Sequence, residues 1–150
     1  MLLRILATDP DWAPTLARIV LGIIFFAHGA QKVLGWFGGQ GLKQTLRTLK
    51  EYVGLPTIAA LAAVGAELFG GAALILGFLG RISALGIAVI MLSAIFMVHG
   101  RYGLFMNWVG DRKGHGIEYH LLAIALAVVI IAEGSGAFSL DGLLSKWIGA

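Results

Sequence analysis

The chain has 150 residues, a formal net charge of +3, 59% hydrophobic and only 13% charged residues, and a mean hydropathy of +0.90. That balance excludes a soluble globular domain, and it calls for no nucleic-acid partner because basic residues at a membrane surface account for the charge. The absence of Cys excludes disulfides, thiol redox chemistry, Cys-ligated iron–sulfur clusters and covalently attached c-type haem.

In chain order, a short tail leads to Asp11, a candidate N-cap, and Pro14 in the first turn. A first transmembrane helix is expected over about 13–34, bracketed by Trp12 and Trp36. Next, Leu42, Leu46, Leu49 and Val53 recur at helical spacing while Lys43, Arg47 and Lys50 face elsewhere, which reads as an amphipathic helix lying in the interface. Gly54-Leu55-Pro56 breaks it and opens a second span, about 56–79. There Ala62, Ala66 and Gly70 form one row of small residues, and Ala63, Glu67 and Gly71 the row beside it. A third span, about 82–98, ends at His99. The loop to Gly116 interleaves Tyr102, Phe105 and Trp108 with glycines, as an interfacial or re-entrant cap would. A fourth span, about 117–132, opens with Glu118-Tyr119-His120, and the end segment is too short to cross. The expected fold is therefore all-α: one domain, 1–150, an integral membrane four-helix bundle with an interfacial helix in its first loop.

His28, Lys32 and Trp36 are four residues apart in turn, so one helix face would carry all three. Ionisable groups in an apolar helix are costly and mark candidate sites, although Lys32 snorkelling to the interface and His28 bonding a neighbouring helix stays open as the plainer reading. By helix rise, His28 and Glu67 lie roughly 13–17 Å from the same membrane boundary and could meet. His99 and Glu118 sit at the ends of their helices on that same side. At the opposite boundary, Arg18, Arg81, Glu133 and Asp141 read as structural ion pairs. No metal is expected, because Glu118 and His120 are i, i+2 and splay apart, and His28 and His99 differ in depth. The candidate ligand-binding set is His28, Lys32, Trp36, Glu67, His99 and Glu118. Such groups can bond ring oxygens and exchange protons with them.

His28-Gly29-x-x-Lys32, then Glu67-x-x-Gly70-Gly71 with Leu76-Gly77-x-x-x-Arg81, then Glu118-Tyr119 and Gly134-x-Gly136-x-x-Ser139-Leu140-Asp141, resemble the DoxX family in order and spacing. The family's usual Gly-Pro-Gly stands here as Gly134-Ser135-Gly136. The resemblance implies a four-helix, multi-pass protein of the inner (plasma) membrane, related to the DoxD side of thiosulfate:quinone oxidoreductase and to quinone or oxidative-stress physiology. The leading expectation is a quinone-linked subunit of an oxidoreductase, with quinone as a non-covalent cofactor, a redox partner subunit, the lipid bilayer and a second copy of the chain as partners, and no assigned catalytic residue. The rivals are a small-molecule or proton transporter, and a membrane anchor or assembly partner.

Lys32, Lys43, Arg47, Lys50, Arg101, Arg112 and Lys113 fall on the His28 side, against Arg4, Arg18, Arg81 and Lys146 on the other. The positive-inside rule then puts the first and third loops in the cytoplasm and both termini outside. A C-terminal reporter that works only in the cytoplasm should stay silent, and activity there would reverse the topology.

Overall fold

Asp11 starts the first long helix by accepting the Ala13 N–H at 3.0 Å, which satisfies one of the helix's orphan donors. The computed structural model describes residues 5–111 and 113–149, so Arg4 and Arg112 of the charge count lie outside the described residues. Helix α1 is Trp12–Leu34, closed by Gly35 at φ +74°. Helix α2 is Gly41–Thr48, prolonged by a wide turn at Leu49–Val53. Helix α3 is Thr57–Leu76 and α4 is Gly80–Tyr102. Helix α5 is Glu118–Glu133, and α6 is Leu140–Gly149. No strand occurs among the described residues.

Helices α1, α3 and α4 are long and apolar enough to cross a membrane. Helix α5 matches the expected fourth span to within one residue, and its 16 residues make it shorter than the three long apolar helices. At 1.5 Å per residue it is about 24 Å long, short of the ~30 Å hydrocarbon layer. The second span ends earlier than its hydropathy suggests, because Gly77 turns into the left-handed region at φ +64°. On α2, Leu42, Leu46, Leu49 and Val53 are half-buried while Lys43, Arg47 and Lys50 are exposed, so the apolar face packs inward.

Helix α1 packs on α3 and α5, and α4 packs on α5 and α3. The α1–α3 crossing brings backbones into contact. A Cβ on Gly22 would lie 2.9 Å from Gly71 O, and one on Gly29 would strike the Leu68 backbone. The row of Glu67 and Gly71 thus faces α1, while the row of Ala66 and Gly70 faces α4, where Gly86 would put a Cβ 3.9 Å from Ala66. Leu21, Phe25, Leu74, Ile87, Ala127 and Ile130 fill the core between these faces.

The four charges at the far boundary correct the expected ion pairs, for no two of them pair with each other. Arg18 is 1% exposed and spends all five guanidinium N–H groups on backbone carbonyls. It donates to Leu74 and Ile75 at 3.0 and 2.6 Å, to Ser135 at 2.6 Å, and to Ala137 and Phe138 at 3.0 and 2.9 Å. Asp141 accepts from Leu79 N and Gly80 N at 2.7 and 2.9 Å, where α4 begins, and from Ser135 Oγ at 2.6 Å. Arg81 donates to the Ile131 and Ala132 carbonyls at the end of α5, and to Ala7. Cations therefore cap helix C-termini and the carboxylate caps an N-terminus, each matching the helix dipole. Glu133 is exposed and has no such role.

Arg18→Ala leaves the Ile75, Ser135 and Phe138 carbonyls short of a donor, while Leu74 keeps the Gly77 N–H and Ala137 the Thr15 hydroxyl. At about 1–3 kcal/mol for each unmet buried group it should cost about 3 kcal/mol or more. Glu133→Gln should change nothing measurable. Thermal melts in one detergent compare the two variants directly, and equal melting points would refute the clamp.

Candidate functional site

Glu67 sits in a wide turn of α3, Ala66–Gly70, where the chain passes through a looser helical ring than an ordinary turn. It is 4% exposed, and a lone carboxylate at this depth would be costly. Lys32 Nζ answers it at 2.5 and 2.6 Å from the two carboxylate oxygens. Lys32 comes from the last turn of α1, and Thr45 Oγ of α2 donates to its carbonyl at 3.1 Å, which ties the interfacial helix to the same corner.

One turn earlier, the His28 ring packs 6.3 Å from Phe25 and 6.2 Å from Tyr119, centre to centre. Tyr119 in turn packs 5.6 Å from His120, and His120 packs 4.3 Å from His99. A row of rings thus runs His28, Tyr119, His120, His99. His99 Nδ1 lies 2.9 Å from the His115 carbonyl, which can only accept, so Nδ1 carries the proton and donates it. Two buried polar atoms in this row have no hydrogen-bond partner: Tyr119 Oη and His120 Nδ1.

The row and the ion pair flank one cavity of about 970 Å³. Its remaining walls are almost wholly apolar, with Ala59, Ala62 and Ala63 from α3, Leu85 and Val89 from α4, and Leu49 and Val53 from α2. A cavity of this size, apolar with a few convergent polar groups, has the dimensions of a small-ligand site.

The structure brings His28, Lys32, Glu67 and His99 to this cavity and leaves two expected members out. Trp36 is 52% exposed and sits edge-on to Phe26 at 6.5 Å. The helix stops at Leu34 and Gly35 reverses the chain, so the face carrying His28 and Lys32 does not extend to Trp36. Glu118 accepts the Met106 N–H at 3.1 Å and secures the loop instead. Glu67 bonds directly to Lys32, whose long stem reaches inward rather than out to the interface, so a link between Glu67 and His28 would run through a water or a ligand. Tyr119, His120 and His115 join the lining unforeseen. A signal for His120 existed, since it lies three and seven residues before the small, buried Ala123 and Ala127.

An all-helical membrane protein with an apolar cavity between its helices, and a half-buried lysine paired to a buried carboxylate on the cavity wall, is the class these features define. The DoxX family model matches residues 13–100, and the chain belongs to the DoxX family. It is 30% identical to inner membrane protein YqjF of Escherichia coli (strain K12), over 91% of this chain and 95% of that one. It is 28% identical to a Bacillus subtilis (strain 168) protein named "Putative oxidoreductase CatD", over 87% of this chain and 86% of that one. No solved structure matches the chain.

Removing Lys32 leaves the buried Glu67 carboxylate uncompensated, whereas removing both partners does not. Lys32→Met and Glu67→Leu should each destabilise more than the double variant does, with a coupling of about 1–3 kcal/mol in a double-mutant cycle. Strict additivity would mean that the pair contributes nothing to the fold.

Proposed function

We propose that the cavity binds a ring of the quinone type, and that the chain is a quinone-linked, multi-pass subunit of an oxidoreductase in the inner (plasma) membrane. The observation that carries this reading is the cavity itself, which joins a greasy volume to proton-active groups on one flank. A quinone has apolar ring faces and strongly accepting oxygens, and it dissolves in the same layer as the spans. Lys32 Nζ can donate to a ring oxygen, and the Glu67 carboxylate and the His28 imidazole can take up or release the proton that accompanies its reduction or oxidation. With no Cys in the chain and no electron carrier of its own implied, the donor or acceptor of electrons belongs to a partner subunit. The oxidoreductase name carried by the Bacillus subtilis relative supports the same reading. The exposed Lys43, Arg47 and Lys50 of α2 suit an anionic lipid surface beside the entrance.

The test is binding of a short-chain quinone to the protein in lipid nanodiscs, together with mass spectrometry of lipids that co-purify with it. Glu67→Gln and His28→Ala should each weaken binding about tenfold, or 1.4 kcal/mol, with unchanged helical circular dichroism. Absence of quinone from both measurements would overturn the reading. Solute or proton flux in liposomes without a redox partner would replace it with a transporter.

A further inference from the structure

Two polar atoms on residues that line the cavity are buried and unmatched. His120 is 6% exposed, and its Nδ1 has no hydrogen-bond partner. Tyr119 precedes it on α5, and its phenolic oxygen is equally without one. Both residues line the cavity. Buried polar groups are nearly always satisfied, and in an apolar layer an unmet donor or acceptor is costly. The fold places no partner within hydrogen-bond distance of either atom, and the nearest imidazole, His99, directs its Nδ1–H to the His115 carbonyl. Both Glu67 oxygens take the Lys32 ammonium, and neither bonds to the Tyr119 hydroxyl.

Position sharpens the contrast. Along the ring row, His28 stands at the end near Lys32, one helical turn away from it, while His120 stands beside His99 at the other end. Tyr119 lies between them, and its ring lies 25° from the plane of Phe25 at 6.5 Å. The cavity therefore has two polar stations. The first is the ion pair with His28, already internally satisfied and charged. The second is neutral and unsatisfied, and it combines a hydroxyl, which can donate or accept, with an imidazole nitrogen that does either according to tautomer.

We propose that Tyr119 Oη and His120 Nδ1 bind the second oxygen of the ring held in the cavity, so that the site selects a ring with an oxygen at each end over a ring with one. This rests on the ring-binding reading above and specifies its ligand class as a quinone or the corresponding hydroquinone. The station suits both oxidation states. Tyr119 donates its O–H to a quinone carbonyl, and His120 Nδ1 accepts the O–H of a hydroquinone. A ring with a single oxygen satisfies the Lys32 station and leaves Tyr119 and His120 unmet, and a site whose buried polar groups go unpaired rejects such an analogue strongly.

The experiment uses the full chain in nanodiscs and two probes, a short-chain 1,4-benzoquinone and the matching phenol with one oxygen. Wild type should bind the quinone at least tenfold more tightly than the phenol. Tyr119→Phe and His120→Phe should each erase most of that preference while leaving phenol affinity within twofold. The melting point of the ligand-free protein separates this from a structural role. An atom with no partner in the fold contributes no bond there, so ligand-free Tyr119→Phe should melt no lower than wild type while losing most of the quinone-induced rise. Wild-type quinone preference retained in both variants would overturn the second station and leave ring binding intact. Binding of neither probe by wild type would overturn both readings together. A lowered melting point in ligand-free Tyr119→Phe would show that the hydroxyl serves the fold, and would overturn the assignment.

Discussion

Everything at one end of the bundle depends on a single guanidinium. Arg18 draws together the last carbonyls of α3 and the loop that precedes α6, and it does so from the first third of α1. Its guanidinium bonds oriented carbonyl dipoles, and the Asp141 carboxylate nearby adds an opposite charge without a direct bond. Asp141 performs the converse task close by, where it holds the first N–H groups of α4. The tight connection between α3 and α4 is thereby gripped from both sides, with a positive group on the helix that ends and a negative group on the helix that begins. Small residues are needed around this knot. A Cβ at Gly77 would lie 3.1 Å from the guanidinium carbon, and one at Gly80 would collide with the Ser135 hydroxyl.

With that end fixed, the opposite end can be open. The helices approach closely where Gly22, Gly29 and Gly71 allow it, and they part where the cavity lies. Three wide helical turns, at Leu49–Val53, Ala66–Gly70 and Ile95–His99, all contribute side chains to the cavity wall. A turn of this kind carries one residue more than an ordinary helical ring and shifts the phase of the residues beyond it. In α3 it lets Glu67 address Lys32 while Gly71, one turn on, still meets the backbone of α1.

Most of the architecture was legible in the sequence because lipid imposes a simple rule, that apolar runs of sufficient length become helices. The α1 boundaries derive from Asp11 and Gly35, and the two small-residue rows of α3 find the two neighbours their spacing implies. The pairings of charges were not legible. Composition places Arg18 and Asp141 at one boundary, but it does not reveal that main-chain carbonyls and amides, which nearly every residue possesses, would be their partners. The partner of Lys32 was hidden for a related reason, since a flexible four-carbon stem can point out to water or in to Glu67 from the same Cα. Trp36 and Glu118 failed for local causes: a left-handed turn at Gly35 and a backbone amide at Met106. Tyr119 and His120 escaped because aromatic rings in an apolar helix look like ordinary filling until the third dimension shows what their polar atoms lack.

The Arg18 clamp also imposes an order of assembly. Three of its five acceptors, the carbonyls of Ser135, Ala137 and Phe138, lie more than a hundred residues downstream. A chain emerging from the ribosome therefore delivers its first apolar helix to the membrane with a guanidinium that has no home for as long as those residues are still to be made. Until then the side chain must keep its charge in the headgroup region, and α1 must sit shallow or tilted. Closure of the loop after α5 is the event that draws this arginine inward, so the first helix to be inserted is among the last to be seated.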